Sequence, residues 1–159
     1  MKHFITITLA RADQGARIAV IAGAALMIVI VSVQVVMRYV FNESLDWADE
    51  VSRLAFVTTI FLAIPLGIPD GTHVGIEMLV SRFPERIHAF TLRIMSLLAA
   101  GMMMVVCYTS IVVASVTWSE RLGSLDLTSS VFFLPVAIGA AHSALHLLKM
   151  SIWAPEPAK

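Results

Sequence analysis

Four stretches of this chain carry no Asp, Glu, Lys or Arg: Ile18 to Met37, Leu54 to Pro69, Ile94 to Ser119 and Leu127 to Leu148, which hold 20, 16, 26 and 22 residues. An α-helix rises about 1.5 Å per residue, so about 20 residues cross a hydrocarbon core of about 30 Å. In lipid every backbone amide must be bonded within the protein, which makes the helix the natural state of such runs. Composition agrees: 58% of residues are apolar and 14% are charged, against about 25% charged in soluble domains. The expected fold is an all-α integral membrane protein with four transmembrane helices in one four-helix domain over residues 1–159. Too little chain is left for a water-soluble catalytic domain, which excludes most soluble enzyme classes.

The spans are expected at about 18–37, 54–69, 94–119 and 127–148. A brief apolar run from Phe4 to Ala10 precedes the first. It is followed by Arg11, Asp13 and Arg17 rather than by a clear small-residue cleavage site, so it reads as a short interfacial helix before an uncleaved anchor. Lys and Arg set the orientation. The two tails and the middle loop hold 8 of them, and the other two loops hold 3, namely Arg38, Arg53 and Arg121. Both termini are therefore expected in the cytoplasm. Net charge is zero and no basic run is long enough to track a phosphate backbone, so nucleic acid is not an expected partner and membrane lipid is. The single cysteine, Cys107, lies inside an apolar run and reads as a small buried hydrophobe.

The first outward loop is the most informative segment. Trp47, Val51, Leu54 and Ala55 repeat at i, i+4, i+7 and i+8, while Asp46, Asp49, Glu50 and Arg53 repeat at i, i+3, i+4 and i+7. The pattern predicts an amphipathic helix at about 44–53 between spans one and two, lying in the interface with Trp47 at headgroup depth. Ser44 or Asn42 can cap it, and Arg53 can pair with Asp49 or Glu50.

The string Met37-Arg38-Tyr39-Val40-Phe41-Asn42, with Ser44-Leu45, Trp47, Glu50, Arg53, Phe56 and Phe61-Leu62, resembles the small, DctQ-like membrane subunit of TRAP (tripartite ATP-independent periplasmic) transporters. Gly71-Thr72-His73-Val74 is similar to that family's Gly-x-His element, and Phe83-Pro84 continues the likeness. The sequence departs from the family pattern at Ala63-Ile64-Pro65, where a Leu-Gly turn is usual, and at Asp70, where a basic residue is usual. The resemblance implies a non-enzymatic scaffold in the bacterial inner membrane. Its partners would be a large membrane subunit, which would hold the substrate and sodium sites, and a periplasmic binding protein delivering an organic acid for symport. No cofactor or metal is then expected on this chain. Arg38, Tyr39, Asn42, Trp47, Glu50, Arg53 and His73 are the implied structural or interface motif.

The remaining candidates lie in the other spans. Pro135, Gly139, His142 and His146 share one face of the fourth. A histidine pair raises haem or metal ligation, and with it a rival identity as the haem-bearing anchor of a respiratory enzyme. Axial haem ligands approach from opposite faces, however, and His3, His73 and His88 lie outside the uncharged runs, so a packing face is the reading preferred here. Pro65 deprives the Phe61 carbonyl of its helical donor, which reads as a bend satisfied by Thr58, Thr59 or a neighbouring helix. Met102, Met103 and Met104 lack Cys or His companions and read as packing or lipid contacts. Ala19 with Gly23, and Ala140 with Ala144, are spaced for close helix approach. Internal repeats and an acidic residue within the uncharged spans are both missing, which argues against a stand-alone carrier. A small self-associating channel is the third alternative.

Overall fold

The computed structural model describes residues 2–68 and 85–152. The Gly-x-His element with His73, Asp70 and Phe83-Pro84 lie outside them. Helix α1 runs Lys2–Val40, α2 Asp46–Gly67, α3 Glu85–Val116 and α4 Phe133–Ile152, with short 3-10 turns at Thr117–Ser119 and Ser129–Phe132 around the last turn region. Each of the four long helices contains a stretch long and apolar enough to cross a membrane. The chain is all-α, and among the described residues the β-type pairing is a single bridge between Arg121 and Thr128.

Two boundaries differ from the sequence reading. The N-terminal run is not a separate interfacial piece but the start of α1, whose 39 residues extend about 58 Å, nearly twice the hydrocarbon thickness. Residues 46–53 likewise continue without a break into α2 instead of forming an extra interfacial helix. In both cases no proline or turn-forming glycine interrupts the backbone, so helix propagation costs little once a neighbouring helix supplies a packing face.

That face on α1 is a narrow seam. Leu9, Asp13, Ala16, Val20, Gly23, Met27, Ile30, Gln34 and Met37 are buried or half-buried, at alternating spacings of four and three, while most residues between them are exposed. The period is the 3.5 of a coiled-coil seam, which keeps one stripe facing a partner over many turns. Helix α1 packs on α2, α2 on α4, and α4 on α3. The contacts are made by small residues that let backbones approach: Ala48 and Ala55 on α2, Ser96 and Ala100 on α3, and Ala140, Ser143 and Ala144 on α4 are all buried. Trp47, expected to head the apolar stripe, is 43% exposed; the buried residue of that turn is its neighbour Ala48.

Hydroxyl groups along the spans are largely satisfied within their own helices, as where Thr58, Ser96 and Ser110 donate to the carbonyls of Leu54, Leu92 and Val106. Ala100 and Leu147 meet Ile68 in a small core, with Met103 packed against it. Met102 and Met104 point outward, and Cys107 is a half-buried free thiol.

Gly139 fixes the central contact. A Cβ placed there would collide with the Phe61 carbonyl oxygen and lie 2.7 Å from its carbon. Phe61 is the residue whose carbonyl Pro65 leaves without an intrahelical donor, and Pro65 itself is fully buried. The glycine of α4 is thus seated on the freed carbonyl of α2, where a weak Cα–H contact is the available partner. Gly23 plays a comparable part between α1 and α2, its open side facing Thr59 Oγ1.

Candidate functional site

Two polar constellations stand at opposite ends of the bundle. The first surrounds the start of α2. Asn42 adopts a φ of 56°, the left-handed conformation that Asn tolerates better than most side chains, and Glu43 N–H then turns back to the Met37 carbonyl at 3.1 Å. This ends α1, in whose last turn Arg38 faces the negative end of the helix dipole. Asn42 therefore serves as a turn residue rather than a cap of α2. No side chain caps α2 at Leu45; Ser44 Oγ donates instead to Asp46 Oδ1 at 3.1 Å.

Arg53 pairs with Asp49 at 3.0 Å, both side chains being about two-thirds exposed, so the pair adds little to stability. Glu50 has a different role. Its carboxylate accepts the backbone N–H of Ser124 at 3.0 Å and of Leu125 at 3.1 Å, joining the loop before α4 to the first turns of α2. That loop is itself organised. Leu122 N–H donates to the Leu127 carbonyl and Ser129 N–H to Glu120, each at 2.9 Å. Thr128 Oγ1 donates to the Trp118 carbonyl at 2.8 Å, and Ser130, fully buried, donates to Ala114 at 2.5 Å. Ser44, Trp47, Glu50, Arg53 and Gly123 line an open depression between the two loops, about 670 Å³ in volume. Tyr39 is 80% exposed outside it.

The second constellation lies at the end of the bundle where α1 begins and α4 ends. Asp13 on the α1 seam meets the two histidines of α4: its Oδ1 is 2.9 Å from His142 Nε2 and 2.8 Å from His146 Nε2. The two nitrogens are 3.2 Å apart. The face predicted for α4 therefore divides: Gly139 serves α2, His142 and His146 serve α1, and Pro135 is half-buried near the start of the helix. Asp13 was not singled out from the sequence because it precedes the uncharged run. The signal that could have found it is its register, three heptad steps of the seam below Gln34. Both ring nitrogens converge on one point, so the pair cannot clasp a haem from opposite sides.

Residues 27–154 match the family model described as the DctQ component of tripartite ATP-independent periplasmic transporters. Two Haemophilus influenzae chains named as TRAP transporter small permease proteins are similar. One is 28% identical over 131 residues, 79% of each chain. The other is 25% identical over 115 residues, 72% of this chain and 70% of the relative. A 58-residue stretch, 36% of this chain, is 36% identical to 9% of a sialic acid TRAP transporter permease protein, SiaT, also from Haemophilus influenzae. With four membrane-length helices, a match over most of its length and small-permease relatives of similar span, the chain belongs to the DctQ family, the small membrane subunits of TRAP transporters.

Proposed function

We propose that this subunit is a non-catalytic scaffold that holds a large TRAP permease in the inner membrane for sodium-coupled, binding-protein-dependent import of an organic acid. The observation that carries the reading is the unpartnered surface of the outer helices. Only 6% of the α1 span is buried within the chain and 11% of each of the α2 and α3 spans, against 39% of the α4 span. Ile18, Ile21, Ile28 and Val29 on α1, and Leu98, Met102 and Val105 on α3, are all at least half exposed. Such faces can meet lipid or a membrane partner, and a subunit of this family has a permease to meet. Substrate and sodium chemistry then belong to the large subunit, since the charged groups of this chain gather at the two ends of the bundle rather than at its middle. The haem-anchor alternative loses its support in the convergence of His142 and His146 on Asp13.

The test is reconstitution. The chain alone in liposomes is expected to give no sodium-dependent uptake, and the same chain is expected to copurify with the large permease and to support uptake in its presence. Saturable uptake by the isolated chain would overturn the scaffold role.

The Lys and Arg asymmetry supports an orientation with both termini in the cytoplasm and the two loops joined by Glu50 in the periplasm. Cysteines at Glu43 and Gly123, in a Cys107→Ser background, are expected to react with an impermeant maleimide in intact spheroplasts, and cysteines at Lys2 or Pro155 are not. The reverse pattern would invert the orientation.

A further inference from the structure

The cluster at the terminal end of the bundle has a geometry that hydrogen bonds alone do not satisfy. Asp13 Oδ1, His142 Nε2 and His146 Nε2 form a triangle with edges of 2.9, 2.8 and 3.2 Å. A neutral imidazole nitrogen either carries a proton or offers a lone pair. When both Nε2 atoms donate to the carboxylate, their protons face each other along the third edge. When one Nε2 is bare, it can accept from the other ring, but its lone pair then faces the carboxylate oxygen. At most two of the three edges can be hydrogen bonds in either tautomer. A cation above the triangle would use all three lone pairs.

We propose that Asp13, His142 and His146 form a binding site for a divalent first-row transition ion of the zinc class. Ligand bonds of about 2.0–2.1 Å, at angles between square and tetrahedral, require donor-to-donor edges of roughly 2.8–3.4 Å, and the three observed edges fall within that span. Two histidines at i and i+4 present their rings on one face of a helix, an arrangement suited to chelating one ion. The donor set of two imidazoles and a carboxylate fits zinc, iron, nickel or copper better than calcium or magnesium. The histidine side chains are 10% and 5% exposed and that of Asp13 30% exposed. The nitrogens are thus shielded while the carboxylate side stays open for an ion to enter and for water to fill a further position.

The ion would clip α1 to α4, two helices whose main packing is on other helices rather than on each other, through residues 133 apart in sequence. The site is independent of the scaffold reading and would stand if that reading failed.

The experiment uses the full chain, purified in detergent with a tag free of histidine and stripped by a chelator. Zinc is expected to bind saturably at one ion per chain, and cobalt(II) is expected to give the visible absorption of a low-symmetry nitrogen and oxygen site. Asp13→Asn and His146→Ala are each expected to weaken zinc binding by at least about 100-fold. Should either variant aggregate, the wild-type chain still decides: one equivalent of zinc must displace bound cobalt(II) and abolish its visible absorption. Zinc binding no tighter than in the double variant His142→Ala/His146→Ala, or no cobalt absorption that zinc removes, would overturn the site and leave a hydrogen-bonded cluster only.

Discussion

Replacing Gly139 by valine is expected to separate α4 from α2 and to lower the resistance of the subunit to unfolding in detergent. The added carbons would occupy the position of the Phe61 carbonyl, and backbone cannot move aside as a flexible side chain can. Overpacking of this kind costs about 1–3 kcal/mol for small additions, so alanine is expected to fall in that range and valine above it. Gly101→Ala is the control, because nothing lies within 4 Å of a Cβ at that position and alanine is the better helix former. Unfolding titrations with a denaturing detergent should rank Gly101→Ala at or above wild type, then Gly139→Ala, then Gly139→Val. Equal midpoints for wild type and Gly139→Val would show that the close seating of α4 on α2 is not what holds the bundle.

Glu50→Ala is expected to release the loop before α4. The carboxylate is the acceptor for two backbone amides, those of Ser124 and Leu125, and no shorter or neutral side chain can replace both bonds at once. Amide exchange in residues 123–125 should accelerate by about tenfold or more when the acceptor is lost. Arg53→Ala should leave it near the wild-type rate, because its partner is Asp49 and the pair is exposed. In the whole transporter a scaffold role predicts less intact complex and a lower maximal uptake rate for Glu50→Ala, with the half-saturation concentration unchanged. A tenfold shift in half-saturation with the complex intact would instead assign the segment to recognition of substrate or binding protein.

Much of the architecture is legible in the sequence alone. Long uncharged runs report helices in a membrane because lipid offers the backbone no alternative partner, and the motif around Arg38, Asn42, Trp47, Glu50 and Arg53 pointed to the family. The partners of those residues were less accessible. The i, i+4 rule anticipated the bond between Arg53 and Asp49, but it says nothing of a carboxylate whose amide donors lie 74 and 75 residues away. The sequence offers Asn42 as a cap of the following helix, and its positive φ makes it a turn residue instead.

Helix number, membrane character and the marked loop follow from the chain's own composition and spacing, because solvation by lipid and helical periodicity act on each segment locally. The course of α1 through Lys2–Val40, the seating of Gly139 on Phe61, and the meeting of Asp13 with His142 and His146 depend on which helix faces which. Such choices are made by side chains distant in sequence packing together. A lone aspartate before a span and a histidine pair within another carry no local sign that the fold will bring them within hydrogen-bond distance.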